Sequence, residues 1–369
     1  MVSLGRKTLF EDKPRFAMTA LGVALAIMLI LLLDGMYVGV VRQITAYLDA
    51  VGPDLVVGQK DSRNFLGARS VVPAEDIGAV ASTSGVRRAV PVIVQYVVLD
   101  LGGRKEFSLM IGFDRRMGGG PWQMREGRSL ISDDEVIFDA VVARRHGTRV
   151  GDRILIMGRR LRVAGLSGGT SSWMTGTFFV TYRTAASLLS ARENPSFLLV
   201  SLRPDVRVSQ VEARIERGTG LSATPRSEVD ANDVDLYARV LSGPLKLMVA
   251  VAFLVGVALV GITSYTATLE RTKEYAALKA IGMANVRLYL VVLEQALISS
   301  LAGFATGVVL AFAAQWLLAQ YAPQFLVTVR PVAIAALLGT TLVMGSLASL
   351  VPARAVARID PVLAFRRGA

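Results

Sequence analysis

The 369-residue chain contains no cysteine and a single histidine, His146. The first absence excludes a disulfide framework, a thiolate-held zinc or iron–sulfur site, and a thiol nucleophile. The second removes most catalytic triads and any poly-histidine metal site. Charge is scarce as well: Asp, Glu, Lys and Arg make up 19% of residues against 53% hydrophobic, a balance unlike that of a purely soluble chain. No G-x-x-x-x-G-K-[S/T] occurs, and G-x-S-x-G, H-E-x-x-H and a strand-borne G-x-G-x-x-G are missing too. The chain is therefore expected to hold no catalytic residue, cofactor or metal of its own. His146, in Arg144-Arg145-His146-Gly147, reads as a solvated residue of a basic turn. Asp133-Asp134-Glu135 lacks the spaced ligands and glycine of a calcium loop and reads as a solvated acidic turn.

What the chain does have is four long apolar runs. Phe16 to Leu33 is uncharged and stays apolar through Val41; Leu247 to Leu269, Gln295 to about Ala319, and Pro331 to Ala353 follow. At ~1.5 Å per residue each reaches ~30 Å or more, enough to cross a bilayer's hydrocarbon core. Arg6, Lys7, Lys13 and Arg15 ahead of the first run also suit a signal peptide, but the run exceeds an ordinary signal core and lacks a small-x-small cleavage site. The expected order is a cytoplasmic segment 1–16, a span 17–41, an insert 42–243 and a span 244–268. A helical segment 269–285, a span 286–318, an outer loop 319–330, a span 331–351 and a tail 352–369 complete it.

Charge placement orients the spans. Arg271, Lys273, Lys279 and Arg287 lie between the second and third, and Arg354, Arg358, Arg366 and Arg367 follow the last, whereas the loop before the fourth has only Arg330. An excess of basic residues in short loops marks the cytoplasmic side, so both termini and the 269–285 segment belong there. The insert faces outward, with 27 basic and 22 acidic residues forming an ordinary mixed surface. The net charge of +12 thus needs no nucleic acid partner; the partner composition demands is the lipid bilayer.

The insert has the pattern of a compact α+β domain. Helical extensions of the spans flank it, 41–51 on the way out and 232–241 on the way back, with Gly243-Pro244 marking a break or kink before the second span. Asp54–Gly58 predicts a strand, Pro73 with Glu75 and Asp76 opens a short helix, and Gly102-Gly103 turns a hairpin between 90–101 and 106–113. A second hairpin fills 150–165, and a strand at 197–202 leads into a helix around 208–215. Gly118–Pro121 and Gly168–Ser172 are loops; Trp173-Met174 after the second could meet an apolar cargo or a partner protein, although large apolar side chains usually tuck under their own loop.

Three polar residues stand within apolar runs. Asp34, seventeen residues beyond Ala17, falls about 25 Å across, at the outer interface. Glu294, beside Gln295, must pair or face the bundle interior; an interhelical hydrogen bond explains it better than proton coupling, since no second intramembrane carboxylate or lysine completes a relay. Gly35-x-x-x-Gly39 and Gly303-x-x-x-Gly307 permit close helix approach, within the chain or in a dimer.

The segment after the second span is the most specific. Glu270-Arg271-Thr272-Lys273-Glu274-Tyr275 leads to Leu278-Lys279-Ala280-Ile281-Gly282, a run of helix formers ended by glycine. It resembles the E-R-x-x-E-[IY]-x-x-L-[RK]-A-[IL]-G stretch of the FtsX/MacB-like permeases, membrane subunits of type VII ABC transporters. The closing Pro352-Ala353-Arg354 to Pro361, Leu293-Glu294-Gln295-Ala296 with Gly303 and Gly307, and Val150-Gly151-Asp152 with Val163-Ala164-Gly165 resemble further elements of that family. Tyr275 and Gly112-Phe113-Asp114 lean toward its glycolipid-exporter branch.

The resemblance implies an α-helical membrane protein of the bacterial inner membrane, with four transmembrane helices and a large α+β extracytoplasmic domain between the first two. It also implies a two-fold pair of permeases with cytoplasmic ABC ATPase subunits that bind the ATP and magnesium, and a periplasmic adaptor where export crosses the envelope. Glu270, Arg271, Lys273, Glu274, Tyr275, Leu278, Lys279, Ile281 and Gly282 would face or support the ATPase and pass its motion to the outer domain (mechanotransmission), exporting or extracting a lipid, lipoprotein, peptide or drug. The alternative is a non-transporting, FtsX-like subunit that activates an envelope partner such as a cell-wall hydrolase, although outer domains of that kind are usually smaller. An enzyme with its site in the insert is disfavoured by the missing acid, base and nucleophile sets.

Overall fold

The computed structural model describes residues 13–67, 69–172, 175–190 and 194–358. Arg6, Lys7, Trp173, Met174, Pro361, Arg366 and Arg367 lie outside the described residues. The chain forms two compact units: one of Met1–Val38, Ser242–Ala322 and Leu326–Ala369, the other of Gly39–Leu241 and Pro323–Phe325.

Unit one is helical. Among the described residues, four helices are long and apolar enough to cross a membrane: α1 (Lys13–Val51), α6 (Arg226–Glu270), α8 (Asn285–Tyr321) and α9 (Pro331–Ala357). Small residues let them approach. A Cβ built on Gly303 would stand 2.8 Å from Ala20 O and 2.5 Å from Val23 Cβ, and one on Gly307 would stand 2.7 Å from Ala24 O, so α8 lies against α1 at backbone distance. Gly345 of α9 meets Ser300 and Leu297 of α8 in the same way, and Gly256 of α6 meets Met344 of α9. Val23, Ile27, Leu31, Val260, Ala311 and Met344 close the interior. Half of the most apolar window of α1 is buried but only 17% of that of α6, so α1 is central and α6 presents Leu247, Leu254, Val255 and Ile262 outward.

The break or kink expected at Gly243-Pro244 does not end a helix: α6 runs on through Pro244 for 45 residues. Proline removes one backbone donor and crowds the carbonyl four residues back, but helix-forming sequence on both sides outweighs that single loss, as in many spanning helices.

Unit two is built on a ten-stranded sheet with order β10-β1-β9-β2-β3-β8-β5-β7-β4, and β6 pairs off β7. Its strands are β1 (Leu55–Gly58), β2 (Val86–Leu101), β3 (Arg104–Phe113), β4 (Met124–Gly127), β5 (Glu135–Asp139), β6 (Arg153–Ile156), β7 (Arg159–Ser167), β8 (Gly176–Thr181), β9 (Phe197–Leu202) and β10 (Ser222–Pro225). The helices between them are α2 (Ala74–Ser82), α3 (Ala140–His146), α4 (Tyr182–Leu188) and α5 (Val208–Thr219). The β3–β8 and β5–β7 pairs are parallel and the rest antiparallel. Two-residue turns join β2 to β3 and β6 to β7; Gly102 and Gly103 (φ 66° and 83°), and Met157 and Gly158 (φ 47° and 84°), all take the positive φ that such hairpins need.

Both faces of the central sheet are covered, which is why β5 and β8 are continuous apolar runs. Phe138, Phe178 and Val180 point to one face, where Ala140, Val142 and Ala143 of α3 and Ala185 of α4 cover them. Ile137 and Phe179 point to the other, under Tyr47 and Leu48 from the end of α1 and Phe65 from the following loop. At the β1–β9 end, α2 and α5 supply Val80, Val211 and Ile215 against Val57 and Val200.

Two acidic or basic turns differ from expectation. His146 is the last residue of α3, its side chain only 4% exposed, with Nε2 3.1 Å from Glu106 Oε2, while Arg145 Nη1 reaches the same carboxylate at 2.9 Å. Burying Glu106 on β3 demanded cationic and donor partners, and the last turn of α3 supplies them. Asp133-Asp134-Glu135 is not uniformly solvated either. Glu135 begins β5, buried, and accepts from both Arg128 guanidinium nitrogens and the N–H groups of Ile131 and Ser132. Asp133 Oδ1 accepts from Thr181 Oγ1 at the start of α4, and only Asp134, beside Arg159, stays open to water.

Candidate functional site

The segment between the second and third spans forms a short helix, α7 (Thr272–Ala280), shorter than the 269–285 expected because α6 itself continues to Glu270 and the backbone breaks at Arg271. Glu274 sits in the first turn and Lys279 in the last, each of the sign that the local helix dipole favours. Arg271 Nη1 lies 3.6 Å from Glu274 Oε2. Gly282 (φ 94°) ends the helix as the residue pattern required: its N–H donates to Lys279 O (2.9 Å) and the N–H of Met283 to Leu278 O (3.0 Å), the paired bonds of a Schellman cap.

One face of α7 is fastened. Tyr275 is buried with Leu288 and Val292 of α8 and Val356 of α9, with Leu278, Met283 and Ala353 packed around them. Burial pushes the Tyr275 phenol upward, so it stays a neutral hydroxyl, and it hydrogen-bonds to Gln295 of α8. Lys279 Nζ donates to Ala357 O at the end of α9, 2.7 Å away. The helix is thereby tied to α8 and α9 at once.

The other face is open. Lys273, Glu274 and Ala280 are exposed there, and Ile281 is 85% exposed, an apolar side chain held out at the C-terminal cap; the adjoining Gly282, and Glu270 ahead of the helix at its other end, are exposed as well. The nine positions singled out in the sequence therefore divide: Tyr275, Leu278 and Lys279 hold the helix in place, and the others border an open, mixed-charge face with an apolar knob.

The other singled-out residues are placed elsewhere. Asp34 of α1 pairs with Arg330, the residue before α9. Glu294 is half-buried and interacts within the protein, and Gln295 is the partner of Tyr275. Gly303 and Gly307 of α8 pack against α1, but Gly35 faces the 327–328 segment, where a Cβ would stand 2.8 Å from Val327, and Gly39 is buried in unit two. Among the described residues no group of three or more His, Asp or Glu is placed to hold a metal. Sequence reasoning missed the Lys279–Ala357 and Tyr275–Gln295 ties, since both join the helix to residues on other helices.

Comparison with known proteins gives a consistent picture. The model of the MacB-like periplasmic core domain matches residues 16–217, and that of the FtsX-like permease C-terminal region matches residues 246–361. The chain is 26% identical over 356 residues to an uncharacterized ABC transporter permease of Mycobacterium tuberculosis, covering 96% of each. It is 25% identical to the pyoverdine export ATP-binding/permease protein of Pseudomonas syringae pv. tomato, covering 97% of this chain and 58% of that one. Among solved structures, the periplasmic region of MacB from Actinobacillus actinomycetemcomitans aligns at a TM-score of 0.39 and 12% identity, over 51% of this chain and 96% of that one.

Proposed function

Since this chain belongs to the FtsX/MacB-like family of ABC transporter permeases, a multi-pass membrane protein with a MacB-like domain between its first two spans, we propose that it couples a cytoplasmic ABC ATPase to movement of that outer domain and so exports or extracts a lipid, lipoprotein, peptide or drug-like cargo. ATP and magnesium belong to the ATPase. The chain works beside a second copy or a homologue, in a bacterial inner membrane, with both termini and α7 in the cytoplasm. The observation that carries this reading is the two-sided construction of α7: one face locked to α8 and α9 by Tyr275 and Lys279, the other offering Lys273, Glu274 and Ile281. A helix held in this way cannot yield locally, so a push on its open face must displace the spans it is tied to. Export also agrees with the relative named for pyoverdine export.

The test is co-purification of the ATPase with the tagged chain in membranes. Charge reversal of Glu270 and Glu274 together, or Ile281→Asp alone, should reduce the recovered ATPase at least several-fold while the permease itself stays folded. Undiminished recovery from both variants removes α7 as the docking element.

A further inference from the structure

Unit two contains a cavity of about 230 Å³ that the coupling function leaves unexplained. Gln43, Ile44 and Tyr47 near the end of α1 form one wall and Tyr237 of α6 stands among the others. The sheet contributes Tyr96 of β2, Phe107, Leu109 and Ile111 of β3, and Thr177 of β8, and the loop 169–172 completes the lining. None of the lining residues is charged, in a domain whose surface carries dozens of charges. An ion entering it would lose its hydration with nothing to compensate, so the site selects against charge.

The polar atoms of the lining are nearly all satisfied within the protein. Tyr47 donates to Gly119 O (2.9 Å), Thr170 to Asp139 Oδ2 (2.5 Å), and the side chains of Ser172 and Thr175 bond each other. Gln43 Nε2 donates to Ser171 O and Gln324 O, holding the loop in place. Tyr96 and Tyr237 share one hydrogen bond of 2.9 Å, which leaves one hydroxyl hydrogen of the pair to spare. Ser171 Oγ is buried and closed to solvent, so the tyrosine pair supplies the polar contact open to a ligand. Phe107 and Trp122, 45% and 37% exposed, are the aromatic lining side chains that reach furthest into solvent.

From this combination we propose that the cavity is a binding site for an uncharged, mainly apolar molecule, or one hydrocarbon arm of a larger amphiphile, whose hydroxyl or amide pairs with the spare hydroxyl hydrogen of Tyr96 and Tyr237. A dry cavity of about 150 Å³ takes up benzene, which puts this ligand at about ten heavy atoms. The two walls supplied by α1 and α6 belong to helices that continue into membrane spans, so occupancy bears on the segments between the outer domain and the bilayer.

The probe is 8-bromooctan-1-ol, read as quenching of Trp122 in full-length protein in lipid nanodiscs, with Trp173→Phe and Trp316→Phe leaving Trp122 as the one tryptophan. Saturable quenching is expected. It should weaken several-fold when Tyr96→Phe and Tyr237→Phe are combined, disappear when Thr177→Phe fills the cavity, and be at least tenfold weaker with 8-bromooctanoate at neutral pH. Nanodiscs made with chain-brominated lipid distinguish the source: quenching without added alcohol identifies a lipid acyl arm, and its absence a free amphiphile. Equal binding of the carboxylate, or quenching that neither the double Tyr96→Phe, Tyr237→Phe change nor Thr177→Phe alters, overturns the assignment. No ATPase is present in the assay, so its outcome is independent of the coupling role of α7.

Discussion

Arg330 and Asp34, 296 residues apart, meet side by side, with Arg330 Nη2 2.8 Å from Oδ1 and 3.1 Å from Oδ2. The same stretch gives the N–H of Thr328 to Gly35 O (3.1 Å) and that of Val329 to Gln315 Oε1 (3.2 Å), so 328–330 is fixed to both α1 and α8. A partly exposed ion pair contributes about 0–1 kcal/mol. Asp34→Asn or Arg330→Gln should each lower the Tm of the purified protein by a few degrees, and the exchanged pair Asp34→Arg with Arg330→Asp should recover part of it. An exchange as damaging as both single changes added together would show that the charges do not interact.

Gly303 and Gly307 have no room for a side chain, because the atoms nearest a Cβ include the backbone carbonyls of Ala20 and Ala24. Backbone cannot rotate away as a side chain can, so Gly303→Val or Gly307→Val must separate α1 from α8, at a cost of about 1–3 kcal/mol or more. Gly339→Ala, which meets nothing within 4 Å, is the control and should leave Tm unchanged or slightly raised, because alanine favours the helix. Melting curves of the three variants decide the matter.

Tyr275 contributes both bulk and a hydroxyl. Tyr275→Phe keeps the packing against Leu288, Val292 and Val356 and loses the bond to Gln295, a change of about 1 kcal/mol. Tyr275→Ala opens a cavity and should cost about 3–5 kcal/mol locally. Protease sensitivity of the 270–285 segment should therefore rise slightly in the first variant and strongly in the second, and stimulation of the ATPase by the permease should fall in the same order.

Two carboxylates of unit two make its stability depend on pH in opposite senses. Hydrogen bonding to Arg128 holds Glu135 at about 2, below the ordinary 4.5. Its contribution is complete above that ordinary value and is lost as pH falls through about 2. Asp233 of α6 is raised to about 6 by burial, although Asn64 and the N–H groups of Phe65 and Leu66 donate to it. Its contribution is complete below 3.8 and is lost as pH rises through about 6, because between those values the folded protein holds a proton that the unfolded chain has released. Asp233→Asn should therefore flatten the decline in Tm between pH 4 and 7, and Glu135→Gln should flatten the loss below pH 4.

The same contrast explains what could be read from residues alone. The spans, the Gly102-Gly103 turn and the Gly282 cap are local events, written within a dozen neighbouring positions. His146 was misjudged because Glu106, which buries it, lies 40 residues earlier on a strand whose place in the sheet no local pattern specifies. Arg330 and Asp34 were each visible as an isolated charge, but not as a pair. The cavity draws its walls from α1, β2, β3, β8, α6 and a loop, and Tyr96 meets Tyr237 across 141 residues. At Pro244 the break, one of the two outcomes expected there, does not occur, because the helix on either side overrules that local signal.

That proline leaves its mark on α6. With no N–H at Pro244, the carbonyl of Val240 lacks its intrahelical donor, and the two compact units divide between Leu241 and Ser242 at nearly the same place. In elastic terms α6 is a beam with one weakened cross-section. It resists compression along its axis almost as an unbroken helix does, whereas a sideways moment concentrates its curvature within a few residues of Pro244.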